Sequence, residues 1–136
     1  MKKPAEKRGR KTNTELREAS TGQINAAALK LFVRRGYQAT TIDQIAQQAK
    51  LTKGGVYFYI TKKEDLLLSL LDSIEERYMK SPFEEIAAAE CSNKEKIIRL
   101  MHFQVIYAVE RPEDIMLLVM MSVEFSGQED ALARRI

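Results

Sequence analysis

Between residues 20 and 75, apolar side chains recur at helical spacing in three successive segments, separated by only a few residues. Ile24, Ala27, Ala28, Leu31 and Phe32 fall at i, i+3, i+4, i+7 and i+8, which is one face of a helix. Ser20 and Gln23 have the spacing of a capping box at its start, and Gly36 is placed to close it in the left-handed region. Thr40 or Thr41 caps a second, shorter helix with Ile42, Ile45, Ala46 and Ala49 on its apolar stripe. Thr61-x-x-Glu64 is a further capping box, ahead of a longer helix bearing Leu66, Leu67, Leu70, Leu71 and Ile74.

The segment between them, Leu51-Thr52-Lys53-Gly54-Gly55-Val56-Tyr57-Phe58-Tyr59-Ile60, reads by residue type as a turn feeding a β-strand. A lone hairpin among helices has no sheet to join, and isolated hairpins are marginal at best. The alternative is a short helix capped by Thr52, with Val56 and Ile60 pointing inward four residues apart. Two short helices separated by Lys50-Leu51-Thr52 then form a helix-turn-helix, buttressed by the helix of residues 20–36. Glycine near the start of a helix costs roughly 1 kcal/mol relative to alanine. That cost is understandable where a backbone must approach a phosphate closely, as Gly54 and Gly55 would allow. Tyr57 and Tyr59 can place hydroxyls on phosphates, and Lys53 and Lys63 add charge. Phe58 suits core and contact equally, whereas Tyr57 suits contact better.

The charge distribution points the same way. Residues 1–63 carry 14 Lys/Arg against 4 Asp/Glu, while residues 64–136 carry 8 against 15. A basic half joined to an acidic half suggests a polyanion partner for the first half only. Residues 1–19 are basic and poor in apolar side chains, and they read as a disordered arm. Its Lys7-Arg8-Gly9-Arg10-Lys11 cluster is either a solubilising tail or a segment for a narrow minor groove. No apolar run approaches the roughly 20 residues of a membrane span, and no secretory signal is present. The one cysteine, Cys91, has no internal disulfide partner, which suits a reducing cytoplasm.

With these residues in place, the run Leu31-Phe32-x-x-x-Gly36-Tyr37-x-x-Thr40-Thr41-Ile42-x-x-Ile45-Ala46, followed by residues 51–60 and Lys63-Glu64-x-Leu66, resembles the DNA-binding domain of the TetR family of bacterial transcriptional repressors. The resemblance covers about residues 20–75 and implies an all-α fold. It implies that Thr41, Thr52, Tyr57, Tyr59 and Lys63 touch phosphate, and that Lys53, Gly54 and Gly55 meet base edges and backbone in the major groove. Four positions depart from the family pattern. Lys50 stands where glycine is usual in the turn, Gly55 replaces a common Thr or Asn, and Ile60 replaces the usual Phe. Asp43 occupies a position where a basic residue is frequent, and an acid there would read cytosine or repel phosphate.

In the second half, a short helix is expected over residues 82–90 and another from about Lys94 to Glu110. Pro112 suits the first position of a third, in which residues 115–121 are apolar all round and therefore expected to be buried on every side. Gly127 would end it, with a further helix beginning in residues 128–136. If the family plan holds, an apolar inducer pocket lies between these helices, with Met101, His102, Tyr107, Met116, Met120 and Phe125 as lining candidates or as ordinary core. His102 and Cys91 have no companions to complete a metal site. Phosphate-loop and nucleophile-elbow motifs are absent, and the adjacent Glu84 and Glu85 point apart on a helix, so no enzyme, cofactor or metal is expected.

These readings divide the chain into an arm (1–19), a helix-turn-helix DNA-binding domain (20–65) and a partial ligand-binding and dimerisation domain (66–136) that lacks the family's last helices. The expected function is a cytoplasmic transcriptional regulator, a repressor released from a double-stranded operator by a small molecule. Its full-length form would be a homodimer with no membrane association. The alternative is a helical interaction module that keeps the fold without regulating.

Overall fold

The computed structural model describes residues 12–126, which fold into seven α-helices and one π-helical turn. The expected minor-groove cluster at residues 7–11, the stop at Gly127 and the helix begun in 128–136 lie outside the described residues. Helix α1 spans Asn13–Arg35, α2 Ile42–Gln48, α3 Lys53–Tyr57 and α4 Lys63–Glu75. The π-helical turn Glu76–Lys80 continues into α5, Ser81–Ala88, and is followed by α6, Asn93–Glu110, and α7, Pro112–Glu124.

Helix α1 begins seven residues before Ser20, so residues 13–19 are helix rather than disordered arm. Thr12 and Glu15 form the reciprocal box that starts it: the Glu15 N–H donates to Thr12 Oγ1 at 3.3 Å, and the Thr12 N–H donates to the Glu15 carboxylate at 2.7 Å. Ser20 lies inside the helix, its hydroxyl donating to the Leu16 carbonyl. Gly36 ends α1 with φ 82° and ψ 159°, a positive-φ region other than the left-handed helical one and open essentially to glycine alone.

Thr41, not Thr40, caps α2 in a box with Gln44. Thr40 is buried instead and donates its hydroxyl to the Gly36 carbonyl at 2.8 Å. Thr52 caps α3 by accepting from the Gly55 N–H at 3.0 Å, and the apolar stretch is helical through Tyr57 and a turn through Tyr59, not a strand. The start of α4 is one residue later than the Thr61–Glu64 spacing suggests. Asp65 accepts from the Lys62 N–H at 3.1 Å and takes the role expected of Glu64. Between α4 and α5, Pro82 has no N–H to give the carbonyl one turn back, and the Ser81 N–H reaches the Glu76 carbonyl five residues away.

One core joins both halves. Ile24, Ala28 and Phe32 of α1, Ile45 of α2 and Val56 of α3 meet Leu66, Leu67 and Ile74 of α4 and Leu117 and Met121 of α7, all essentially solvent-free. Tyr37 packs between Phe32, with centroids 5.4 Å apart, and Phe125, at 6.0 Å, both rings tilted against it. Burial raises the Tyr37 phenol above its ordinary pKa, with Glu64, Glu124 and Asp65 adding to the effect. The Glu124 carboxylate accepts from the backbone N–H groups of Tyr37 and Gln38 at 3.4 and 3.3 Å, fastening the end of α7 to the α1–α2 turn.

Helix α7 is not buried on every side. Leu117 and Met121 face the core, but Met116, Val119 and Val123 are at least half exposed. Among the described elements α1 and α6 pack on it most extensively, and they cover a stripe rather than a circumference.

The turn between α2 and α3 holds Lys50 at φ 58°, the one non-glycine residue with positive φ among those described. A side chain there is disfavoured by roughly 1–2 kcal/mol. Lys50→Gly recovers that strain but adds unfolded-state entropy, so it is expected to stabilise the fold by about 1 kcal/mol. Urea denaturation of the two proteins measures it.

Candidate nucleic-acid interface

The first turns of α2 and α3 meet at the surface. Asp43, second residue of α2, holds the Lys53 ammonium of α3 at 2.9 Å, with both side chains more than half exposed. The Asp43 hydrogen bond, then its charge, raises the Lys53 pKa, so the ammonium stays charged across the working range. Tyr57, one turn along α3, is close enough to Lys53 to add to this effect, and 48% of it is exposed. The structure thus brings Thr41, Thr52, Lys53, Gly54 and Tyr57 together on one exposed surface, the two threonines serving as helix caps.

The glycines differ. A Cβ built on Gly54 meets nothing within 4 Å, whereas one on Gly55 lies 3.1 Å from the capping Thr52 Oγ1. Packing under the cap is a reason for glycine at 55; the fold supplies none at 54.

Two expected contacts sit elsewhere. The Lys63 ammonium is turned into the fold, donating to the carbonyls of Tyr37 at 2.7 Å, Thr40 at 2.9 Å and Gln38 at 3.4 Å. It also lies 4.2 Å from the Tyr37 ring centroid, and burial holds its pKa below the usual lysine value. An ammonium has three N–H donors, and here all three have protein acceptors. Lys63 is thus placed as a brace under the α1–α2 turn, not as a free ammonium on the exposed surface. Tyr59 is half-buried against the edge of Phe58, at 5.2 Å. Phe58 itself is 66% exposed, with the Arg17 guanidinium 5.3 Å above its ring. Arg17, on the first turns of α1, escapes sequence reading because that segment has the composition of a tail.

None of the six candidate pocket residues lines the clefts beside Phe83 and Leu100. Met101 and Met116 are at least half exposed and His102 is exposed. Tyr107 and Phe125 are buried in separate contacts, and Met120 packs on the main core. The Tyr107 hydroxyl donates to Asp114 at 2.7 Å, and the same carboxylate oxygen pairs with Arg77 at 3.0 Å. Apolar clefts of about 360 and 410 Å³ open instead on either side of Phe83 and Leu100, where α5 faces α6.

A three-helix unit whose second and third helices start side by side on an exposed surface defines the class: a helix-turn-helix DNA-binding fold. Residues 24–70 match the family described as bacterial regulatory proteins, tetR family. Over that stretch the chain carries the family's DNA-binding domain. It is 42% identical over 67 residues to the HTH-type transcriptional regulator HbdR of Aromatoleum sp. (strain CIB), a stretch covering 49% of this chain and 29% of that protein. To the HTH-type transcriptional regulator TtgR of Pseudomonas putida it is 38% identical over 69 residues, covering 51% of this chain and 32% of TtgR. The crystal structure of the MbdR regulator from Azoarcus sp. CIB superposes with a TM-score of 0.73 at 37% identity, over 85% of this chain and 60% of that one. The matched stretches thus span about a third of these curated relatives and three fifths of the solved structure. The relatives are transcription regulators rather than enzymes, and no described helix is long and apolar enough to cross a membrane.

Proposed function

We propose that the protein is a cytoplasmic DNA-binding transcriptional regulator, a repressor, with the start of α3 entering the major groove. Thr41, Thr52 and Tyr57 would place hydroxyls on phosphates, and Lys53, Gly54 and Gly55 would face base edges and backbone. The observation that carries this reading is Gly54. It sits on an exposed helical turn with open space where a Cβ would be, so its helix cost of roughly 1 kcal/mol has no internal reason. A surface that comes close from outside supplies one. As a homodimer the protein would present two such helices about 34–36 Å apart, one helical turn of DNA. A small apolar or amphipathic effector would favour a state in which that spacing no longer matches. The clefts beside Phe83 and Leu100 are of a size suited to such a ligand.

Gly54→Ala tests the assignment because stability and binding are expected to move in opposite directions. The variant should gain up to about 1 kcal/mol in urea denaturation while its affinity in gel shifts at moderate salt falls by roughly tenfold, about 1.4 kcal/mol. Unchanged DNA affinity would place Gly54 away from the nucleic acid.

A further inference from the structure

The Asp43–Lys53 pair is unexplained by stability. Its oxygen and nitrogen lie 2.9 Å apart, yet the two side chains are 62% and 58% exposed, a setting in which ion pairs contribute little. On a surface meant only to grip phosphate, a carboxylate is a liability: it repels the backbone and neutralises the adjacent lysine. What the pair does present is a hydrogen-bond acceptor fixed beside a donor, next to the bare backbone of Gly54. The major-groove edge of a G·C pair shows the complementary pattern, with guanine N7 and O6 accepting and cytosine N4 donating. An A·T pair has a single acceptor, adenine N7, beside the N6 donor, so the Lys53 ammonium would meet an amino group where guanine offers O6, and the far side of the pair ends in thymine O4 and its methyl group. Phosphates offer acceptors only.

We propose that Asp43 and Lys53 read one G·C base pair in each half-site as a single unit, with Lys53 on guanine and Asp43 on cytosine. Asp43 is thus a specificity-determining residue. Its carboxylate also keeps Lys53 from serving as a free phosphate contact, lowering affinity for DNA of the wrong sequence. The inference rests on the DNA-binding reading of the α2–α3 surface.

The test uses the 136-residue chain and two probes: selection of bound duplexes from randomised double-stranded DNA, and salt-dependent anisotropy on the unselected pool. The wild type should enrich sites with a fixed G·C pair in each half. Asp43→Ala should lose that preference and bind the unselected pool roughly fivefold more tightly, with a salt slope steeper by about one unit as Lys53 becomes a counterion-releasing contact. Lys53→Ala should weaken binding more in the wild-type background, where it bares the Asp43 carboxylate, than in the Asp43→Ala background. Thermal melting of each variant confirms that both surface changes leave the fold intact. If the wild type binds neither probe, the DNA-binding reading itself falls. If it binds but enriches no G·C position, or Asp43→Ala selects the same sites with the same slope, the paired readout is wrong while the DNA-binding reading stands.

Discussion

Asp114→Ala is expected to lower the stability of the folded chain by about 2–3 kcal/mol, the largest effect of any single polar substitution considered for this protein. Asp114 is 3% exposed in the first turn of α7, and one of its oxygens accepts from both the Arg77 guanidinium and the Tyr107 hydroxyl. Arg77 also donates to Ser73, so the carboxylate ties together the end of α4, the π-helical turn, α6 and α7. Removing it leaves a phenol and part of a guanidinium buried without an acceptor, a loss larger than the net value of the pair itself. The figure is set below the usual 3–5 kcal/mol for a broken buried pair because 38% of the Arg77 side chain is exposed and can turn toward water. Asp114→Asn retains the shape and one acceptor and should lose about half as much. Urea denaturation of the three proteins gives the comparison.

The same cluster fixes a pH dependence. Burial first, and the Asp114 carboxylate second, raise the Tyr107 phenol above the ordinary tyrosine value, and burial does the same at Tyr37. Each phenol therefore holds its proton more tightly in the folded state. Their contribution is complete below the unfolded pKa of about 10 and is lost as pH rises through the higher folded values. Stability should be flat with respect to these two groups near neutrality and fall above about pH 10. Tyr107→Phe should shallow that fall.

These long-range ties mark where sequence reading reaches its limit. The helix-turn-helix is legible because its signals are local: Thr41 and Thr52 sit next to the N–H groups they cap, and Ile45 and Val56 are buried as their spacing requires. The first two turns of α1 are not, since residues 13–19 carry a single large apolar side chain, Leu16, which is itself 49% exposed. A cap and a box hold that segment, and its polar composition looks the same as a tail. In the second half, Ile97, Met101, Val105 and Val109 repeat every four residues, yet all four are at least 60% exposed while Tyr107 is buried. Which face of α6 is covered depends on how α7 approaches it, and the Arg77–Asp114 contact that helps fix this spans 37 residues. No periodicity encodes such a pairing.

Lys63 shows how a residue can sit at the expected position and do different work, and Lys63→Ala separates the two roles. A phosphate contact predicts unchanged melting, weaker binding on every sequence and a salt slope reduced by about one unit. The structure predicts another result. The ammonium satisfies three carbonyls around the turn that Gly36 begins and Thr41 ends, and it lies over the Tyr37 ring. Alanine leaves those carbonyls to find water in a half-closed site. Allowing for Lys63 being only half-buried, the expected loss is about 1–2 kcal/mol, or a Tm lower by roughly 4–8 °C. Lys63→Arg should recover little, because a planar guanidinium cannot aim its N–H groups at three carbonyls converging on one point. Below the melting range, the salt slope of the Lys63→Ala variant should equal that of the wild type. A full slope change with no loss of melting temperature would put Lys63 on the DNA after all.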